Sequence, residues 1–125
     1  NISNQVSYSA VATADELKAR AIVAPSISGF TTRMLSKWRP TVKVYGLSPS
    51  IGAVRQMMLL WGVVPLHARR AESTDELIDN SIKTLKAQKF IKEDDIVVVT
   101  AGVIADKKER KPATHTNTMQ VEIVE

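Results

Sequence analysis

The segment Asp95-Ile-Val-Val-Val-Thr-Ala-Gly102 constrains the fold more than any other part of the chain. Its β-branched run shows no alternation of apolar and polar residues, so it suits a strand covered on both faces, as in a parallel sheet. Parallel strands cannot be joined by tight turns, and each pair needs a crossover, usually a helix. The rest of the chain supplies that alternation. Residues 3–19 place Val6, Ala10, Ala14 and Leu17 on one face at helical spacing. Residues 21–25 form a short apolar strand, and a helix from about Gly29 to Trp38 carries Met34 and Leu35 inward, stopping before Arg39-Pro40.

"VKVYGL", 42–47, is the next strand. Ser48 suits a helix cap, Pro49 the first helical position and Gly62 the residue just past the end, with Ile51, Val54, Met58 and Trp61 as the apolar stripe between them. "VVPLH", 63–67, is a third strand. Ser73 and Glu76 then form a capping-box pair that opens a helix with Leu77, Ile78, Ile82 and Leu85 on one face. "MQVEIV", 119–124, alternates and reads as a half-exposed edge strand. It follows a loop of about 15 residues rather than a helix, which predicts antiparallel pairing. The fold expected is α/β: a three-layer α/β/α sandwich whose mostly parallel sheet of about five strands ends in an antiparallel strand. With no linker dividing it, the chain reads as a single domain over residues 1–125.

Composition narrows the function classes. Cysteine is absent, which removes disulfides, thiolate nucleophiles and Cys-based zinc sites, and fits a cytoplasmic setting. No apolar run approaches the roughly 20 residues of a membrane span. A net charge of +4 favours anionic ligands. The basic residues are scattered and aromatics are few, so neither nucleic acid nor a membrane is the expected partner. The chain opens inside a helical pattern without an initiator Met, which favours a fragment of a longer protein.

The most informative turn is Ser26-Ile-Ser-Gly-Phe-Thr31, followed by Thr32. It leaves the carboxyl end of a strand, where ligands of such sheets bind. A helix start offers unpaired N–H groups, the hydroxyls of Ser26, Ser28, Thr31 and Thr32 add donors, and Gly29 permits close backbone approach to an oxyanion. No acidic residue lies within the turn. Two readings fit: a phosphate cradle, or a plain helix start in which Ser28 caps and Gly29 turns the chain. Neither G-x-x-x-x-G-K-[ST] nor G-x-G-x-x-G is present, so the turn lacks machinery for phosphoryl transfer or dinucleotide binding.

The loop 103–119 carries Lys107, Lys108, Arg110, Lys111 and His115 against Asp106 and Glu109. It fits either a cationic flap over the same sheet edge or a solvated loop. His67 and His115 have no metal-ligand spacing, His67 reads as structural, and Arg69-Arg70 reads as solvated surface. No nucleophile elbow or metal cluster is visible, so no catalytic residue and no metal site are assigned.

Taken together, "AIVAPSISGFTTRMLSKWRP", "VYGLSP", "AVRQMMLLWGVVPL" and "DDIVVVTAG" resemble the carboxyl-terminal domain of pyruvate kinase from about Tyr8 to Val124. The resemblance implies a non-catalytic regulatory domain beside a barrel that carries the active site, with its magnesium and potassium, and no cofactor in this part. It implies binding of an allosteric sugar phosphate or nucleotide monophosphate, and a role in a tetramer interface. The family's phosphate-binding turn falls on Ser26, Ile27, Ser28, Gly29, Phe30 and Thr31, and its effector loop on residues 103–119. One departure is that Leu77 or a neighbour stands where bisphosphate-binding members tend to have a helical arginine; none lies between Glu72 and Lys92. A one-phosphate effector is therefore a full alternative, and Lys107, Lys108, Arg110 or Lys111 are candidates to replace the arginine. The competing reading is an assembly module with a vestigial pocket; an independent phosphate-ester enzyme is the third.

Overall fold

The computed structural model describes residues 1–102 and 116–125. Its elements are α1 (Ile2–Leu17), β1 (Ala21–Pro25), α2 (Phe30–Ser36), β2 (Val44–Ser48), α3 (Ile51–Met57), β3 (Val63–His67), α4 (Thr74–Ala87), β4 (Ile96–Ala101) and β5 (Thr118–Ile123). Among the described residues the strands form one sheet in the order β3-β2-β1-β4-β5. β1 pairs in parallel with both β2 and β4, β2 pairs in parallel with β3, and β5 runs antiparallel to β4. This is the architecture expected from the alternation of elements, including the antiparallel last strand at the edge.

Winding direction decides which face each helix covers. From β1 the chain steps outward through α2 and α3 to β3, then returns through α4 to the other side of β1. Accordingly Ala10, Ala14 and Leu35 pack with Ile22, Val44 and Val98 on one face. Ile78 and Leu85 of α4 pack with Val23, Tyr45, Leu47, Val97 and Val99 on the other. The residues of β1 and β2 are all buried, as a doubly covered strand requires. Gly46 is the closest point of this packing: a Cβ there would lie 2.6 Å from both Met57 Sδ and Thr32 Cγ2. Only glycine lets α2 and α3 descend this far onto β2.

Three local expectations change. In α1 the buried residues are Ser3, Ser7, Ala10 and Ala14, while Val6 is only half-buried and Leu17 is exposed. The serines are satisfied: Ser7 Oγ accepts from Trp38 Nε1 (3.1 Å), and Ser3 Oγ accepts from the Thr116 N–H (3.0 Å). In α3 the cap is Ser50, whose Oγ accepts from the Ala53 N–H, and Ser48 ends β2 instead. The helix buries Ala53 and Met57, leaving Ile51, Met58 and Trp61 exposed and Val54 half-buried. In α2 Leu35 is buried as expected, but Met34 is only half-buried. The α4 expectation holds, with Leu77, Ile78 and Leu85 buried and Ile82 packed against them.

Candidate functional site

The sheet order reverses direction between β1 and β4, and crevices at such reversals, beyond the carboxyl ends of strands, are where these folds place ligands. The turn Ser26–Thr31 leaves the carboxyl end of β1 at this reversal. Gly29, at φ 82°, is the residue that opens α2, and no side chain caps the helix there. Ser28 is therefore not the helix cap. Its Oγ accepts from the Phe30 N–H (3.3 Å), and Ser26 Oγ accepts from the Gly29 N–H (2.9 Å). A hydroxyl that accepts still has a proton to donate. Ser26 is buried and Ser28 half-buried, so the latter is the more accessible of the two.

The two flanks of the turn differ. Towards β4 it is closed: buried Thr31 and Thr116 place their hydroxyl oxygens 2.9 Å apart. Thr116 also donates its N–H to Ser3, so this contact joins α1, the start of α2 and the chain entering β5. Towards β2 the turn is open. Ser48 Oγ donates to the Ile27 carbonyl (3.0 Å) and accepts from the Ser50 N–H (3.1 Å). His67 Nε2 lies 3.3 Å from the Pro49 carbonyl, a contact that needs a proton on that nitrogen. These bonds tie three successive strand-to-helix connections together around a cleft of about 260 Å³ lined by Ile27, Pro49, Ser50, Arg70, Ala71 and Leu77.

Two cations escaped the sequence reading. Arg33, one turn into α2, folds back so that its Nη1 reaches the Ser28 carbonyl (3.4 Å) and its guanidinium lies 5.9 Å from the Phe30 ring centre. Arg70, read as solvated surface, is exposed and also lines the cleft. The spacing of Arg33 from Gly29 was the signal for the first; nothing local signalled the second. Lys107, Lys108, Arg110, Lys111 and His115 lie outside the described residues. Among the described residues no three His, Asp or Glu side chains group to hold a metal ion, and no helix is long and apolar enough to cross a membrane.

A family model described as "Pyruvate kinase, alpha/beta domain" matches residues 4–122. The chain belongs to the pyruvate kinase family. Within the pyruvate kinases it is similar to the enzyme of Sporosarcina psychrophila, at 32% identity over 99% of this chain and 20% of the relative. It is also similar to that of Clostridium acetobutylicum, at 34% identity over 100% of this chain and 25% of the relative. A third relative, from Lactobacillus delbrueckii subsp. bulgaricus, is 34% identical over 82% of this chain and 18% of its own length. The chain thus spans between 18% and 25% of the length of these pyruvate kinases, in the part formed by their C-terminal α/β domain.

Proposed function

We propose that the chain is the effector-binding and subunit-interface domain of a pyruvate kinase, taking a phosphorylated metabolite at Ser26, Ile27, Ser28, Gly29, Phe30 and Thr31. In this reading phosphoryl transfer from phosphoenolpyruvate to ADP belongs to a barrel outside the chain, with its magnesium and potassium. One observation carries the reading: the turn at the sheet reversal opens α2 through Gly29, with no acidic residue in the first turn and no side-chain cap. The Gly29 and Phe30 N–H groups are met by neutral serine hydroxyls rather than by carboxylates, so no negative charge of the chain's own offsets the positive end of the helix. Ser26 and Ser28, aligned as acceptors by the turn's own N–H groups, keep their hydroxyl protons for an oxyanion.

Two exposed apolar strips support the interface role. On β5, Met119, Val121 and Ile123 share one side with their β4 partners Thr100, Val98 and Ile96, at the rim of the face that α1 covers, and Ile123 is 66% exposed. An edge strand with an apolar face invites pairing unless it is covered, and we assign it to a subunit contact of the tetramer. The second strip, Met58, Leu59 and Trp61, includes the most exposed large apolar residue named here, Leu59 at 88%. We assign it to contact with the rest of the longer chain.

The test is a thermal-shift series with ribose 5-phosphate, AMP and fructose 1,6-bisphosphate against sodium sulfate at matched ionic strength. A ligand that binds only the native state raises the melting temperature. A rise with any of the three esters beyond that with sulfate supports the reading. No rise leaves the assembly module, whose supporting observation is the bond that already engages the Thr31 hydroxyl. Pyruvate formation by the purified chain would overturn the non-catalytic role.

A further inference from the structure

The opposite edge of the sheet, where β1 and β4 begin, holds a cavity of its own. It measures about 340 Å³, at the small end of the range for whole ligands, and its walls are Arg20, Lys89, Phe90, Ile91, Lys92 and Asp95. The Arg20 N–H donates to the Ile96 carbonyl (2.8 Å), which ties the two strand starts together. Buried Ile91 and half-buried Phe90 form the apolar side, and Arg20, Lys89 and Lys92 are exposed cations around it. Among the described residues none of the three has an ion-pair partner. Asp95, the carboxylate in the wall, is already engaged, since its Oδ2 accepts from the Lys92 N–H (2.9 Å). Beneath the cavity Tyr45 lies against Phe90, with ring centres 5.0 Å apart. Burial pushes the Tyr45 phenol pKa up and the Arg20 guanidinium pulls against that, so this cation is held within electrostatic reach of the aromatic pair.

The end of α4 does not account for these cations. Its closing carbonyls are met by backbone: the Lys89 N–H donates to Lys86 and the Phe90 N–H to Leu85, each at 3.0 Å. Lys89 sits at φ 65°, the left-handed position that a helix end of this kind ordinarily gives to glycine. A lysine there carries backbone strain that glycine would avoid, and its side chain lines the cavity. We propose that this amino-edge cavity binds a small organic dianion, a dicarboxylate or a phosphate monoester, whose charge meets Arg20, Lys89 and Lys92 and whose apolar body lies on Phe90 and Ile91. Three cations against one engaged carboxylate leave an excess that two negative charges complement. The planar guanidinium fork of Arg20 suits carboxylate and phosphate oxygens alike. The site is separate from the serine turn, which leaves the carboxyl end of β1, and does not depend on the reading of that turn.

Titration of the isotopically labelled chain with phthalate and with phenyl phosphate, followed by NMR at constant ionic strength, reads the site residue by residue. Saturable shifts of the Arg20, Phe90, Ile91 and Lys92 amides are expected, and the tighter of the two probes identifies carboxylate or phosphate as the chemistry of the site. Inorganic phosphate, which has no apolar body, is expected to bind these amides more weakly than that probe. Arg20→Gln and Lys92→Gln are each expected to weaken binding about fivefold, the upper end for a charge pair open to water. Lys89→Gly is expected to weaken it by a similar factor without lowering the melting temperature, because glycine suits the left-handed position. That split between affinity and stability is one that a purely structural lysine would not give. Absence of saturable shifts at these amides, shifts confined to Gly29 and Phe30, or inorganic phosphate binding as tightly as the better probe would each overturn the proposal. So would wild-type affinity in all three variants.

Discussion

The starts of α2 and α4 lie on the same carboxyl edge of the sheet and are finished in opposite ways. At α4, Ser73 Oγ accepts from the Glu76 N–H (3.1 Å), Glu76 reaches back to the Glu72 N–H, and Asp75 and Glu76 place two carboxylates in the first turn. Hydrogen-bond demand and the positive end of the helix dipole are met by the helix's own residues. At α2, Gly29 brings no side chain, the first turn has no acid, and the serines lie before the helix rather than over its end. A helix start sealed by carboxylates has its dipole offset from within, whereas one met only by neutral hydroxyls keeps a positive end that an anion can complement. The difference is local chemistry, not topology, because both helices follow parallel strands of one sheet.

The comparison can be broken most severely from beneath. Gly46→Val places a side chain into space where even a Cβ would lie 2.6 Å from Met57 and Thr32. It is expected to cost about 3 kcal/mol, at the upper end of overpacking effects, and to push α2 and α3 off the sheet while α4, on the other face, keeps its packing. Urea denaturation gives the loss, and amide exchange resolved by element tests whether α4 stays protected.

A smaller effect is expected from loosening the start of α2 itself. Thr31→Val preserves the branched shape but leaves the buried Thr116 hydroxyl without its partner at 2.9 Å. The loss expected is about 1–2 kcal/mol, from a stranded buried polar group, so any change in ligand affinity at this position must be read against stability. A double-mutant cycle with Thr116→Val checks the assignment, since the second change should add little once the first is made.

Ser73→Ala makes the start of α4 resemble that of α2. Removing the cap is expected to cost about 1 kcal/mol, and with Asp75 and Glu76 still in place it should create no anion affinity. Calorimetry with ribose 5-phosphate checks the second point; equal affinity for the Ser73→Ala helix start would mean that an open end, not its surroundings, makes the site. The smallest effect belongs to the solvent face of α4, where Lys83 and Asp79 pair at 2.9 Å with both side chains largely exposed. Lys83→Ala is expected to lower the urea midpoint by the equivalent of only about 0.3–0.5 kcal/mol.

Legibility followed the range of the interactions involved. The α4 start was readable because its cap, its reciprocal glutamate and its apolar face all lie within one helix. α3 was misread because a seven-residue helix gives periodicity little length to work with, and the visible stripe of Ile51, Met58 and Trp61 outweighed the smaller pair Ala53 and Met57 that packs against β2. The serine turn was readable as a candidate from Ser26, Ser28 and Gly29, but not its finish, since Ser28 looks like a cap in sequence and proves not to be one. Arg70 was passed over because its place in the cleft depends on Ile27 and Leu77, residues of two other connections.

By itself the sequence determined the alternation of strands and helices, the burial of the Val97–Thr100 run and the edge strand that ends the sheet, because periodicity and capping act between residues a few positions apart. The composition and order of its motifs also carried the resemblance to pyruvate kinase. Only the tertiary structure decided that α1 turns Ser3 and Ser7 inward, that Thr31 meets Thr116, and that Arg70 faces the same cleft as Ile27. Each of these joins segments distant along the chain, and winding both ways from β1 sets such distances through packing rather than through any local preference of the residues.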